Sequence, residues 1–272
     1  MPNASFRRLY PPAAPATDRA LWVLLRGADI LVPADAPSTL FSGTTESPDV
    51  ADVVDRFLLG AMGDTPVLAG ALDPDAPLPE GYKTAGLRNV MADADPETAA
   101  LTVYASQIAQ WGRIARFCSA CGQPLGSVEG TWGRACPSCG HTVYPPVSPA
   151  VIVLVYDGEG RALLASKPGW GKRYSLVAGF VEPGETFEEC VSREVKEEVG
   201  VEVGELTYTG SQAWPFPHQI MVGFLARYAG GDIVIDETEL ADARWFAHDA
   251  LPELPPPFTI SRQIIELWRS QR

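Results

Sequence analysis

Apolar residues recur along this chain with two different periods, and the changes of period mark its elements. Ala20–Val32 is apolar on either side of Gly27-Ala28-Asp29, which predicts strand material folded at a hairpin turn. Pro33–Asp49 and Leu72–Glu80 are crowded with Pro, Ser, Thr and Asp and read as loops. From Pro96 the spacing turns helical, with Leu101, Tyr104, Ala105, Ile108 and Trp111 on one side. Asp95 is its expected N-cap, Pro96 sits in the first turn, and Arg113 and Arg116 lie near the end. Beyond Pro149, VIVLVYD, RALLAS and YSLVAGF read as short strands and Gly184–Gly200 as a helix. Glu205–Trp214 and Ile220–Tyr228 read as strands again, and Ile260–Trp268, after Pro255-Pro256-Pro257, as an amphipathic stretch. The mixture predicts an α+β fold with sandwich layers rather than a uniform βαβ repeat.

Composition narrows the chemistry. The 272 residues are 46% hydrophobic and 20% charged, enough for a sizeable core, so wholesale disorder is excluded. The net charge of −13 argues against gripping a nucleic-acid duplex by neutralising its phosphates. It leaves room for a polyanionic substrate held through divalent metals. Met1–Thr17 contains Arg7 and Arg8 but no apolar h-region, and the longest apolar runs, Ala20–Leu25 and Ala150–Tyr156, are too short to span a bilayer. A cytoplasmic protein with no membrane partner is expected.

Four of the five cysteines form two knuckles, Cys118-x-x-Cys121 and Cys136-x-x-Cys139, each followed by a glycine, Gly122 and Gly140. That arrangement can close four thiolates around Zn²⁺, and four protein ligands leave no open position, so the zinc is expected to be structural. Cys190 stands apart and reads as a small buried hydrophobe.

Between Glu185 and Glu198 stand six glutamates against Arg193 and Lys196. At 100° per residue, Phe187, Val191, Val195 and Val199 fall at about 0°, 40°, 80° and 120° around the helix. Glu194 and Glu198 fall at about 340° and 20°, beside or inside that apolar arc, and Glu197 at about 280°. Carboxylates at the edge of a core-facing stripe are costly unless neutralised. Glu194, Glu197 and Glu198 converge on one spot, where hard divalent cations would neutralise them and present a phosphate site.

This segment resembles the Nudix box: Gly179, five residues, Glu185, seven residues, then Arg193-Glu194-Val195-Lys196-Glu197-Glu198-Val199-Gly200-Val201. The resemblance implies a Nudix α/β/α sandwich and Mg²⁺- or Mn²⁺-dependent hydrolysis of a nucleoside diphosphate linked to another moiety. Glu194 and Glu198 would hold metal with Glu197 assisting, and Glu198, followed by Glu194, is the expected general base. Glu185 and Arg193 would support them.

Ser211-Gln212-Ala213-Trp214-Pro215-Phe216-Pro217-His218-Gln219 alternates aromatics with prolines, a stiff wall suited to stacking a base or a nicotinamide ring. It resembles the SQPWPFPxS array of the NADH pyrophosphatase branch of that family, which also carries a four-cysteine zinc ribbon. Ala213 replaces a Pro and Gln219 a Ser. The resemblance implies that Glu239 and the carbonyl of Ala178 complete the metal set, with Glu237 a competitor for the first role on spacing. It implies that Tyr144, Phe180 and Gln212–Gln219 line a dinucleotide pocket, that Ser261 offers a backbone contact and that Arg88 reaches in from the N-terminal domain. The implied organisation is a mixed N-terminal domain over residues 1–112, a zinc ribbon over 113–145 and a Nudix domain over 146–272. The implied activity is cleavage of NAD(H) to nicotinamide mononucleotide and AMP by a homodimer, with the 5′ end of NAD-capped RNA as a further substrate. The rivals are hydrolysis of ADP-ribose, diadenosine polyphosphates or nucleoside triphosphates, and a non-catalytic regulator that binds nucleic acid through the ribbon.

Overall fold

A computed structural model describes residues 5–9, 17–35 and 39–271. The chain forms two compact units, Met1–Pro146 and Val147–Arg272. Most of the leader-free reading of Met1–Thr17, and residues 36–38 of the expected loop, lie outside the described residues.

In the first unit, strands β1 (Phe6–Arg8), β2 (Arg19–Arg26), β3 (Asp29–Pro33), β4 (Phe41–Thr44), β5 (Asp55–Met62), β6 (Thr65–Ala71) and β7 (Tyr82–Gly86) precede helices α1 (Leu87–Asp93) and α2 (Pro96–Ile114). The sheet order is β1-β5-β6-β2-β3-β7, with β4 beside β2. The predicted hairpin is present: Leu25 faces Ile30 and Arg26 faces Asp29 across a turn in which Gly27 has φ 65°. The loop expectation for Pro33–Asp49 is corrected by β4. Its four residues alternate buried and exposed and pair with Arg19–Trp22, so neighbouring strands, not local composition, decide its conformation. The Asp95 carboxylate accepts the backbone N–H groups of Glu97 and Thr98 and caps α2, as expected. At the other end, Arg134 Nη1 donates to the carbonyls of Gly112 and Ala115 at 3.0 and 2.6 Å. Short strands β8 (Gly126–Ser127), β9 (Arg134–Ala135) and β10 (Thr142–Val143) complete this unit as a separate three-stranded sheet.

The second unit is an α/β/α sandwich. Strands β11 (Ser148–Tyr156), β12 (Arg161–Ser166), β13 (Val177–Phe180), β14 (Glu202–Trp214), β15 (Gln219–Gly230) and β16 (Asp242–Ala247) form one sheet, with helices α3 (Phe187–Val199) and α4 (Ile260–Ser270). The order is β14-β15-β11-β12-β16, and β13 also pairs with β11. β11 reads as an unbroken apolar run because both its faces are covered. Val151, Val153 and Val155 join Val191, Val195 and Val199 of α3 in one core, whereas Ile152 and Leu154 join Ile260, Ile264, Ile265 and Trp268 of α4 in another. No helix among the described residues is long and apolar enough to cross a membrane.

Candidate active site

Helix α3 is locally determined at both ends. Thr186 caps it through the Glu189 amide while the Glu189 carboxylate returns to the Thr186 amide, and Gly200 ends it at φ 78°. The valine stripe anchors the helix on β11 and turns the acidic residues as the 100° wheel requires. Glu198 is 3% exposed, Glu194 is half-buried, and the Glu197 side chain is 60% exposed. Phe187 departs from the stripe: at the first helical residue it is 38% exposed.

Arg193 organises these carboxylates. Its Nε and Nη2 donate to the two oxygens of Glu185 at 2.7 and 2.8 Å, and Nη2 also reaches the Phe180 carbonyl at 2.9 Å. Nη1 donates to Glu194 at 2.7 Å and Glu197 at 3.0 Å. The forked pair with Arg193 holds the Glu185 carboxyl down at about 2. Gly179, in β13, is required by close approach: a Cβ there would lie 1.9–2.1 Å from the Glu194 carboxylate atoms.

Neither oxygen of Glu198 makes a hydrogen bond of normal geometry. Burial pushes its pKa up to about 7; Lys167 and the Ala178 amide oppose this, and the charges of Glu239 and Glu194 add to it. Burial also raises Glu194, against the pull of Arg193. Glu239 acts on both of these carboxylates and stands 3.9 Å from Lys167 Nζ. Oxygen donors of this kind, one of them buried and unpartnered, fit a hard divalent cation. Lys167, which directly follows the RALLAS strand, was not singled out by sequence, since a lone lysine after a strand carries no pattern.

The aromatic run is a hairpin tip rather than an interrupted strand. β14 ends at Trp214, which pairs with Gln219 at the start of β15, and Pro215–His218 makes the turn. Trp214 and Phe216 touch edge-on with ring centroids 5.2 Å apart, so the expected alternation does bring them together. Ala213, Pro217 and Ser211 are exposed, whereas Pro215 is buried. His218 Nδ1 lies 3.2 Å from Ser148 Oγ. The Gln212 side chain is occupied by backbone groups at Phe258 and Ile260. Ser261, in the first turn of α4, is buried with its hydroxyl 2.7 Å from that of Ser175. Phe180 is 49% exposed, so it is not a core ring.

Arg88, in α1, and Tyr144 belong to the first unit. Tyr144 is 56% exposed and its ring lies against Gly133. The four knuckle sulfurs, also in the first unit, lie within 4.8 Å of one another, with Cys118–Cys139, Cys121–Cys136 and Cys121–Cys139 contacts of 3.6, 3.5 and 3.5 Å. A tetrahedron with Zn–S bonds of about 2.3 Å has edges of about 3.8 Å, so the set fits Zn²⁺. The knuckles are near copies. Gly122 and Gly140 have φ 75° and 76°, and their amides donate to the Cys118 and Cys136 carbonyls at 2.8 and 2.9 Å. Amides of Cys139 and Ser138 hold the Cys136 thiol down at about 7, whereas at Cys121 the pull of the Gln123 amide is outweighed by the sulfurs of Cys136 and Cys139, which push that thiol up to about 12. Cys190 is fully buried, as expected.

Three family models match the chain: a NUDIX domain over residues 146–267, an NADH pyrophosphatase-like rudimentary NUDIX domain over 19–111 and an NADH pyrophosphatase zinc ribbon domain over 109–144. A protein named NAD-capped RNA hydrolase NudC from Stutzerimonas stutzeri (strain A1501) is 46% identical over 79% of this chain and 77% of its own. Another of that name from Pseudomonas putida (strain W619) is 41% identical over 92% of this chain and 90% of its own. Among solved structures, a NUDIX hydrolase from Nitrosomonas europaea is 26% identical with a TM-score of 0.49, covering 58% of this chain and 92% of that one.

Proposed function

The chain belongs to the Nudix hydrolase family, in the branch with a rudimentary Nudix-like lobe and a zinc ribbon, and from that premise we propose that it hydrolyses the pyrophosphate of NAD(H). The products are nicotinamide mononucleotide and AMP, and NAD caps on RNA are cleaved in the same way. The observation that carries the reading is the buried, unpartnered Glu198 beside Glu194 and Gly179, in a unit that also bears the Trp214–Phe216 ring pair. The relatives' names support the choice of dinucleotide over other Nudix substrates.

Glu194, Glu198 and Glu239, with the Ala178 carbonyl and assistance from Glu197, are the groups that would hold Mg²⁺ or Mn²⁺. When bound there, the cation polarises the diphosphate and acidifies water. Glu198 takes the proton of the attacking water, as the buried carboxylate without a hydrogen-bonded partner of its own. Arg193, fixed by Glu185, keeps Glu194 oriented toward Gly179. Phe180, Trp214 and Phe216 stack a ring of the substrate, with Ser261 and the rest of Gln212–Gln219 lining the same pocket. The same reading places zinc in the ribbon over residues 113–145, between an N-terminal domain over 1–112 and the hydrolase domain over 146–272. It makes the enzyme a cytoplasmic homodimer.

The test is kcat/KM on NADH, NAD⁺, NAD-capped RNA, ADP-ribose and a diadenosine polyphosphate, side by side with Mg²⁺ and with Mn²⁺. The NAD-containing substrates should lead. Preference for ADP-ribose or the diadenosine compound would replace the substrate assignment, and inactivity on all of them would favour a regulatory role.

A further inference from the structure

Trp214 faces a second ring. Besides the edge-on contact with Phe216, it stacks on Phe258 with centroids 6.5 Å apart and planes 21° from parallel. Both values lie in the range of a favourable offset pair. Phe258 comes from the loop after Pro255-Pro256-Pro257, immediately before the Thr259 cap of α4. It is therefore remote in sequence from Trp214, and both rings are half-buried.

One side chain ties the two segments. Gln212 Nε2 donates to the Phe258 carbonyl at 2.8 Å, and Gln212 Oε1 accepts the Ile260 amide at 2.8 Å. The amide thus bridges the residues on either side of Thr259. It satisfies an amide at the start of α4 that has no partner within the helix. With one donor and one acceptor committed to fixed backbone, the side chain locks the Phe258 loop to β14 two residues from Trp214. The start of α4, with Ser261 in its first turn, is locked to the same strand.

We propose that Phe258 is the third ring of the aromatic wall and that Gln212 is a positioning residue which sets the pitch of Trp214 through Phe258. This rests on the dinucleotide reading above and deepens it. Trp214 lies against Phe258 in an offset, near-parallel pair and against Phe216 in a T-shaped one, so its orientation toward a substrate ring is prearranged rather than chosen on binding. Loss of Phe258 or of the Gln212 bridge leaves the acidic groups untouched and removes one of the contacts that set the pitch of Trp214. The cost then falls on capture of the ring, not on the chemical step.

The experiment is a double-mutant cycle on NADH turnover with the full chain. It is joined to ¹⁹F spectra of protein labelled with 5-fluorotryptophan, the Trp214 resonance being assigned by its loss in Trp214→Phe. Phe258→Leu and Gln212→Ala should each raise KM for NADH roughly 2- to 12-fold, the worth of one aromatic pair, with kcat little changed. Each should shift the Trp214 resonance, and Phe258→Tyr should restore both readouts. In a Trp214→Ala background Phe258→Leu should add nothing. Additive losses, a fall in kcat at constant KM, or an unmoved Trp214 resonance would overturn the proposal. A wild-type protein that does not cleave NADH would instead overturn the dinucleotide reading. The ¹⁹F resonance would then still decide whether Phe258 and Gln212 place Trp214.

Discussion

Replacing Glu198 by Gln removes the buried charge while keeping the size, and its effects on stability and on activity should run in opposite directions. The group's ordinary value is 4.5 and the folded value about 7, so the folded state holds the proton more tightly than the unfolded one. Between those values the unfolded chain binds fewer protons, and stability falls as pH rises. At ~1.4 kcal/mol per pH unit, the separation is worth about 3 kcal/mol in all, most of which falls between pH 5 and 8. Glutamine abolishes this slope. Its own cost, an amide placed where neither Glu198 oxygen has a partner, is independent of pH and drops out of the comparison. The assay is urea unfolding of chelator-treated wild type and Glu198→Gln at several pH values, followed by a probe of the Val147–Arg272 unit. The variant should gain on the wild type by roughly 2–3 kcal/mol from pH 5 to 8. With Mg²⁺ or Mn²⁺ restored, its NADH turnover should fall by roughly 10²–10⁴-fold or more, the contribution of a general base. Parallel stability curves would refute the buried, charge-strained description of Glu198. Near-wild-type turnover would move the base to Glu194.

Gly179→Ala should fold but lose about 100-fold in kcat/KM, as an ångström-scale displacement of Glu194 does, and circular dichroism beside the kinetics would separate this from unfolding. Cys136→Ser should lose the zinc, about one per chain in the wild type by elemental analysis; undiminished zinc in a folded variant would refute the four-thiolate site. Phe180→Ala should barely change the melting temperature, because half the ring is already in solvent. It should cost about 5- to 150-fold in kcat/KM on NADH and less on ADP-ribose, and equal losses would remove its stacking role.

The box helix was legible because two constraints fall on the same residues. Gly200 ends it, and the valine period sets its rotation, which orders Glu198, Glu194 and Glu197 by depth, whereas the capping pair Thr186 and Glu189 at its start came only with the structure. The cysteine knuckles were legible for a similar reason, since the glycine after each pair reports the turn that aims both sulfurs. Beyond the β2–β3 hairpin, the strands of the first unit were not. β5, β6 and β7 follow no clean alternation, β4 hides among Pro, Ser and Thr, and β4, β6 and β7 each pair with a strand of that hairpin far from them along the chain. Phe258 and Lys167 escaped for a related reason. Each gains meaning only from what the fold brings beside it, Trp214 in one case and Glu239 in the other.

The two-sided burial of β11 makes that strand a gauge for the whole catalytic unit. Its odd-numbered valines lie under α3 and its even-numbered residues under α4, while its pairing sets Val151 against Gly179 and Ile152 against Ala178. A slip of one residue would exchange the two cores and carry Gly179 away from Glu194 in the same step. The placement of Glu194 and Glu198 against Gly179 and Ala178 is thus indexed by hydrocarbon packing in the interior and not by the connecting loops. A connecting segment that carries none of these groups, such as Pro168–Arg173, can then lengthen or diverge, retuning which molecule is admitted, while the geometry of Glu194 and Gly179 stays in calibration.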